Sequence, residues 1–385
     1  MNVKLLQRVK VVDTDDLSST ILDILRTEGY KRPLFIMDHF LAEMPLVQTT
    51  QEVLGKNNIQ YAVFDKVVSD PPAATVMDGV GAFKAHQADS IIAIGGGSSI
   101  DVARGVNIVR INGGYILDYT KPDATIKPCP GLIAIPTTSG TGSEMSNALV
   151  VTDVDSQKKL AILSDNAVSE YAVLCPDMVL SLPKKMTIAT GLDAFSHAAE
   201  GDTSRLSSPV TDAICEKIMF LLANYLPRAV ENGQDREARQ RVMVAATLAG
   251  WMLNNAGTNV GHSMAHVLGS KYHIVHGEAV AYALPGVLKF VSPVLPKKVA
   301  EIGQILGLTY RENEDEKQRA DRAVEAYRQF RDETLGLHPF SDYGISTEEL
   351  LENASAVTHE QFAGNTPRNI DEDAAEKLLR EFGNR

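Results

Sequence analysis

A chain of 385 residues with 44% hydrophobic and 22% charged residues has the make-up of a soluble globular protein and the length for two domains rather than one. Its 37 basic and 49 acidic side chains give a net charge of −12, which argues against a nucleic-acid or anionic-membrane surface as the main partner; small neutral substrates, or an anionic one in a local basic pocket, stay open. The opening segment, residues 1–10, breaks its apolar residues with charges and no run reaches the length of a membrane span, so neither a secretory signal nor an anchor is expected.

In chain order, short apolar runs at 33–37, 61–64, 90–94 and 132–135 predict buried strands. Helical apolar spacing predicts helices over 17–28, 41–56, 74–86 and 100–111. Strands that alternate with helices imply a parallel sheet covered on both faces. Past about Leu182-Pro183 the strand signals stop. Helices are then predicted over 209–230, behind a Ser207-Ser208 cap, and over 236–254, 296–306, 316–335 and 371–382. The expected plan is an α/β domain with a Rossmann-like parallel sheet over 1–181, followed by an all-α domain over 182–385. Cys129, Cys175 and Cys215, odd in number and far apart, point to a reducing, cytoplasmic compartment rather than a disulfide framework.

Two loops in the first half carry candidate chemistry. The strand at 90–94 runs into Gly95-Gly96-Gly97-Ser98-Ser99-Ile100-Asp101, and a helix follows. Glycines let backbone N–H groups approach a ligand closely and the helix N-terminus adds partial positive charge, so the segment fits a pyrophosphate cradle. It is not the G-x-G-x-x-G dinucleotide fingerprint, because Ile100 stands where the third glycine would fall; a plain strand-to-helix turn stays open as the alternative. After the strand at 132–135 comes Pro136-Thr137-Thr138-Ser139-Gly140-Thr141-Gly142-Ser143-Glu144, whose hydroxyls and glycines suit phosphate, a nicotinamide amide or an ordinary polar turn. Two such loops at the ends of adjacent parallel strands lie where open α/β sheets bind ligands, which favours a nucleotide. Asp38 closes the strand at 33–37, where a carboxylate either caps the next helix or accepts from adenosine ribose hydroxyls.

The second half concentrates metal-ligand side chains. Asp193 and His197 are four residues apart, as are His262 and His266, so each pair shares a helix face, and His276 follows just before Gly277. His262, His266, His273 and His276 fall within fifteen residues. A lone histidine reads as a core or surface residue satisfied by its neighbours. Two i, i+4 pairs inside segments of Ala, Met, Leu, Val and Gly, where unpaired polar groups are costly to bury, read instead as one metal site. Neither HExxH nor CxxC occurs, so the usual protease and zinc-finger readings lack support.

The glycine loop at 95–101, the hydroxyl loop at 136–144, Gly191-Leu-Asp-Ala-Phe-Ser-His-Ala-Ala-Glu200, His262-Ser-Met-Ala-His-Val-Leu-Gly269 and the closing Asn365-Thr-Pro-Arg-Asn-Ile-Asp-Glu-Asp373 follow one another in a specific order. In that order the chain resembles the iron-containing (group III) alcohol dehydrogenases over nearly its whole length. The resemblance implies a dehydroquinate-synthase-like pair of domains, the first binding a dinucleotide and the second, helical, binding metal and carrying catalysis. It implies Asp193, His197, His262 and His276 as ligands of a divalent metal, Fe(II) with Zn(II) as the alternative, and His266 as a proton relay beside it. For NAD(H) it implies Gly95, Gly96, Gly97, Ser98 and Asp101 around the pyrophosphate, and Thr137, Thr138, Thr141 and Ser143 in the second loop. Asp38 matches the residue that favours NAD over NADP, and Lys159 matches a lysine near the cofactor, although a solvated strand lysine fits Lys159 nearly as well. A homodimer or larger homo-oligomer is implied too.

Some departures from the family pattern stand out. Val11-Val-Asp-Thr-Asp-Asp16 replaces a Phe-Gly-x-Gly stretch, so that edge is expected to be remodelled. Thr258 and Asn259 precede His262 where relatives carry Leu, Ile or Val; they are expected either to make the substrate wall more polar, suiting a polar or charged aldehyde, or to cap a helix. The expected function is hydride transfer between NAD(H) and a small primary alcohol or aldehyde whose oxygen binds the metal. A dehydroquinate-synthase-like lyase and a glycerol-phosphate dehydrogenase share the architecture. Both would be expected to carry more basic residues near the metal motifs than Arg205, Lys217, Arg228, the 236–241 cluster and Lys271 provide. A non-catalytic NAD- or metal-sensing module is the third reading, and His273 is left without an assigned role.

Overall fold

The computed structural model describes residues 4–121, 123–156 and 158–384; residues 1–3 of the opening segment and Gln157, beside the lysine pair, lie outside it. The chain forms two compact units. Gln7–Thr138 and Gly142–Ser181 make the first, while Ser139–Thr141 joins residues 4–6 and the chain from Leu182 onward in the second.

In the first unit the elements run β1 (Lys10–Asp13), α1 (Leu17–Glu28), β2 (Pro33–Ile36), α2 (His39–Ala42), α3 (Pro45–Lys56), β3 (Ala62–Phe64), α4 (Ala73–His86), β4 (Ser90–Gly95), α5 (Gly97–Asn112), β5 (Leu132–Pro136), β6 (Ala148–Asp153), β7 (Lys158–Leu163) and β8 (Tyr171–Leu174). Six of the described strands form one parallel sheet in the order β1-β8-β5-β4-β2-β3, and β6 and β7 form an antiparallel pair. Strands β2, β4, β5 and β8 are buried along their whole length. Alternate residues explain why: Leu34, Ile36, Ile91, Ala93, Leu132 and Ala134 enter one core with α4 and α5, and Phe35, Ile92, Ile94, Ile133 and Ile135 enter another with α1 and α3. A sheet covered on both faces needs apolar side chains at every position, which is why these strands read as unbroken apolar runs.

The segment expected as one helix over 41–56 is two, because Pro45 starts α3 at its first position, where the missing N–H costs nothing. Helix α5 begins at Gly97, earlier than apolar spacing alone indicates, since Gly97-Ser98-Ser99 carries no periodic apolar signal. Strand β1 is largely exposed and carries no apolar run to mark it in the sequence, and β8 is a further buried strand beyond those expected. At Gly95 the backbone takes φ +151°, and a Cβ there would sit 2.3 Å from Ser99 Oγ, so the strand-to-helix turn requires glycine.

A buried cation secures the second loop. Arg104 of α5 is fully buried and donates to the backbone carbonyls of Ser143 and Ala148. One turn earlier, Asp101 Oδ2 accepts from Val150 N at 3.0 Å, with Arg104 NH1 3.9 Å from its other oxygen. Burial pushes the Asp101 carboxyl up to about 6, against the opposing pull of Arg104 and the Val150 N–H.

The second unit is helical: α6 (Lys184–Asp202), α7 (Pro209–Glu231), α8 (Arg236–Asn255), α9 (Val260–Tyr272), α10 (His276–Val291), α11 (Pro296–Ile305), α12 (Glu316–Gln329), α13 (Thr347–Leu351), α14 (Ala354–His359) and α15 (Glu372–Glu381). Ser208 caps α7, its Oγ accepting from Thr211 N. Helix α6 runs through the core, where Leu192, Phe195 and Ala199 join Leu222 and Leu226 of α7, Val242 and Ala246 of α8, and Ala279 and Ala283 of α10. The helix expected over 316–335 ends at Gln329, and Phe330–Thr334 widens into a π-type turn in which Leu335 N donates to Phe330 O at 3.0 Å. Among the described residues no helix is long and apolar enough to cross a membrane.

Asp101 offers a pH test of the first unit. Its folded value of about 6 lies above the ordinary 3.8, so the folded state binds the proton more tightly, and this stabilisation, full at low pH, is lost as pH rises toward and through 6. Asp101→Asn keeps the shape and the acceptor but cannot ionise. Its stability relative to the parent should therefore rise by about 1–3 kcal/mol between pH 4 and pH 7 in urea unfolding. A pH-independent difference would show that Asp101 is not held protonated by burial.

Candidate functional site

Three helices of the second unit bring four donors together. Helix α6 carries Asp193 and His197 one turn apart, α9 carries His262 in its first turn, and α10 starts at His276. One ligand-capable atom from each of the four lies within 4.8 Å of the others, and no second such group occurs among the described residues. Asp193 Oδ1 is the hub, 3.6 Å from His197 Nε2, 3.9 Å from His262 Nε2 and 3.5 Å from His276 Nε2. The His197 and His262 rings stack with centroids 4.7 Å apart. These separations are too long for hydrogen bonds, and Asp193 Oδ1 and His262 Nε2 are buried with no hydrogen-bond partner. Converging buried lone pairs are costly unless a cation takes them, so the donor set fits a divalent ion.

The charges agree with that fit. Burial raises the Asp193 carboxyl, but His197, His276, His262 and His266 outweigh it and hold Asp193 below the usual carboxylate range. Burial, followed by the repulsion of His197, pushes His262 well below its ordinary value, and burial pushes His276 down to about 3. Asp193 thus faces two imidazoles, His262 and His276, that are held in the neutral state in which ring nitrogens coordinate.

Glu200, two turns after Asp193 on α6, orients His262. It is fully buried, its Oε1 lies 2.9 Å from His262 Nδ1, and its Oε2 accepts from Asn259 N at 2.8 Å and His262 N at 3.2 Å. Burial lifts its carboxyl to about 8 despite the two backbone donors. The contact at Nδ1 orients the His262 ring so that its Nε2 faces Asp193. Sequence reasoning gave Glu200 no role, although a glutamate inside the small-residue run His197-Ala-Ala-Glu200 was the available signal. At Gly277, a Cβ would lie 2.1 Å from Ala189 O and 3.3 Å from the Asp193 Cβ, so only glycine lets the first turn of α10 abut α6.

His266 stands beside the four. It is half-exposed, its ring stacks on His276 at 5.4 Å, and its Nδ1 is 3.0 Å from Glu360 Oε1. Glu360 Oε2 also accepts from Ser263 Oγ at 2.6 Å and Phe362 N at 2.9 Å. Burial raises Glu360, yet its hydrogen bonds to His266, Ser263 and Phe362 N, together with the charge of His266, hold it below the usual range. No spacing rule links Glu360 to a histidine 94 residues away, so the sequence could not reveal the pair.

The polar-wall expectation for Thr258 and Asn259 is corrected. Both are buried, and Asn259 is the N-cap of α9, its side chain accepting from Gly261 N and donating to Glu200 O and Thr203 Oγ1 at 3.2 Å. The helix-cap alternative is the one the structure realises. His273 closes α9 in the left-handed conformation, exposed and outside the cluster.

In the α/β unit, Gly96 is the N-cap of α5, whose first turn holds Gly97, Ser98 and no acid. Thr137 N donates to Gly95 O at 3.0 Å, joining the two loops; Thr137 and Ser143 are buried and Thr138 is half-buried. Thr141 belongs to the helical unit. Asp38 caps α2, accepting from Leu41 N at 3.0 Å. Asp101 is engaged by the β6 backbone, and Lys159 on β7 pairs with Asp70 at 2.6 Å on the exposed surface.

Comparison with known proteins accounts for both units. Residues 10–176 match the model of the family described as iron-containing alcohol dehydrogenase, and residues 187–382 match that of the C-terminal part of the Fe-containing alcohol dehydrogenase family. The chain is 36% identical over 283 residues to the NAD-dependent methanol dehydrogenase of Bacillus methanolicus, covering 74% of each. It is 30% identical over 354 residues to the lactaldehyde reductase of Escherichia coli, covering 90% of this chain and 91% of that one. A crystal structure of 1,3-propanediol oxidoreductase superposes with a TM-score of 0.93 at 29% identity, covering 99% of both chains.

Removing the Glu200 carboxylate in Glu200→Ala leaves the N–H groups of Asn259 and His262, and His262 Nδ1, without their acceptor. Unfolding of the metal-free protein in urea should show a loss of about 2–4 kcal/mol. A loss within about 0.5 kcal/mol, the range of ordinary surface changes, would remove Glu200 as the anchor of α9.

Proposed function

The chain belongs to the iron-containing alcohol dehydrogenase family, and on that premise we propose that it transfers hydride reversibly between NAD(H) and a small primary alcohol or aldehyde. Asp193, His197, His262 and His276 hold a divalent metal in this reading, Fe(II) first and Zn(II) as the alternative, since three imidazoles and a carboxylate suit both ions. The observation that carries it is the convergence of four donor atoms within 4.8 Å, two of them buried and unpaired. NAD(H) supplies or accepts the hydride, and the divalent ion supplies a Lewis acid for the substrate oxygen.

The chain's own groups do the rest. One carboxylate against a divalent ion leaves the site with net positive charge, which favours an alcohol oxygen as it loses its proton. Glu360, held ionised, accepts from His266 Nδ1 and leaves Nε2 to take up and return that proton, and the half-exposure of the ring gives it access to solvent. Gly95, Gly96, Gly97 and Ser98 offer the pyrophosphate the N–H groups at the start of α5, with Thr137, Thr138, Thr141 and Ser143 as further donors. Asp101 and Lys159 act through the segments they secure, because their charged ends are already engaged. The Asp38 carboxylate repels a 2′-phosphate and so favours NAD. Three buried cysteines, none of them in a disulfide, suit a reducing, cytoplasmic setting.

His262→Ala should lose bound metal and turnover while NADH binding stays intact; metal-free variant protein with normal activity would overturn the reading. For the coenzyme, Asp38→Gly should increase the use of NADP(H) relative to NAD(H) in steady-state kinetics at little cost in stability, since glycine substitutes at a cap for a few tenths of a kcal/mol. Unchanged coenzyme preference would leave Asp38 as a cap alone.

A further inference from the structure

Glu278 is fully buried in the first turn of α10, two residues after His276, among Ala279, Val280 and Ala281. Its Oε2 accepts from His338 Nε2 at 2.7 Å and from the Tyr343 hydroxyl at 2.5 Å. Its Oε1 has no hydrogen bond, and the Lys185 ammonium lies 4.0 Å away. The Tyr343 hydroxyl also accepts from Val275 N at 3.3 Å, directly before His276. Val275 supplies no capping side chain, so this phenol takes one of the N–H groups that a helix start leaves unpaired. One turn on from Glu278, the Tyr282 hydroxyl donates to His338 O at 2.6 Å.

The segment from His338 to Tyr343 therefore grips α10 at Val275, Glu278 and Tyr282, and His276 lies inside that grip. Gly277 pins the same turn against Ala189 O of α6. An apolar side chain would fill the place of Glu278 at far lower desolvation cost, so packing alone does not account for a carboxylate here. We infer that Glu278, His338 and Tyr343 are positioning residues for His276. They fix the first turn of α10 so that His276 Nε2 faces Asp193 Oδ1 at 3.5 Å. This inference rests on the reading of His276 as a metal ligand. In that reading the three residues act on the metal through the helix start, much as outer carboxylates orient ligating histidines.

The test compares Tyr343→Phe and Glu278→Gln with His276→Ala. Zn(II) affinity is measured by chelator competition on purified, metal-depleted full-length protein, and the Co(II) form is followed by its visible d–d absorption. Tyr343→Phe and Glu278→Gln should each fold, bind Zn(II) about tenfold more weakly and shift the Co(II) bands. Lower thermal stability of the metal-free protein with unchanged Zn(II) affinity and unchanged Co(II) bands would overturn the inference, because a merely structural role moves only the first. Should Tyr343→Phe fail to fold, Glu278→Gln decides the question by the same two readouts. Metal retained at full affinity by His276→Ala would instead overturn the reading beneath it, so the two failures are told apart.

Discussion

An ionised carboxylate inside a protein needs partners, and Asp193 has three imidazoles at distances that are near but not bonding. That unfinished electrostatic arrangement is what the helical unit is organised around. Burial holds His262 and His276 below the ordinary imidazole range, so their ring nitrogens face Asp193 as lone-pair donors, and the group together suits an external cation. The outer contacts follow: Glu200 orients His262, Glu360 orients His266, and Gly277 lets α10 come close enough for His276 to take part.

Each unit uses a fully buried ionisable side chain to hold a backbone segment beside the residues that matter. In the helical unit Glu200 takes the N–H groups at the start of α9; in the α/β unit Arg104 takes the carbonyls that follow the hydroxyl loop. A carboxyl group meets amide hydrogens in one, a guanidinium meets carbonyl oxygens in the other. Fixed in this way, a loop does not have to be ordered at the moment a ligand binds, and less of the binding free energy goes into ordering.

How much of this could be read beforehand depended on whether the cause was local. The inner strands showed as apolar runs because a doubly covered sheet leaves no face for polar residues, and the pair Asp193 and His197 showed because one helical turn separates them. The Met44-Pro45 break was missed because apolar spacing continues across it, and β1 because its residues are largely exposed and form no apolar run. Glu360, His338 and Tyr343 were out of reach for a different reason: each meets its partner across 60 residues or more of chain, and no periodicity encodes such a meeting. Asn259 is the instructive error, since a polar residue beside a candidate ligand invites a substrate role, and a cap answers the more immediate need of a helix start for an acceptor.

The four donors come from helices that lie far apart along the chain, and this has a bearing on assembly. Asp193 and His197 form a half-site as soon as α6 coils, but His262 and His276 reach them only when α9 and α10 have docked. If these four residues hold the proposed metal, its tight retention would be a property of the finished tertiary structure and not of any segment within it. Loading would then act as a late lock, adding its binding free energy to the folded state alone.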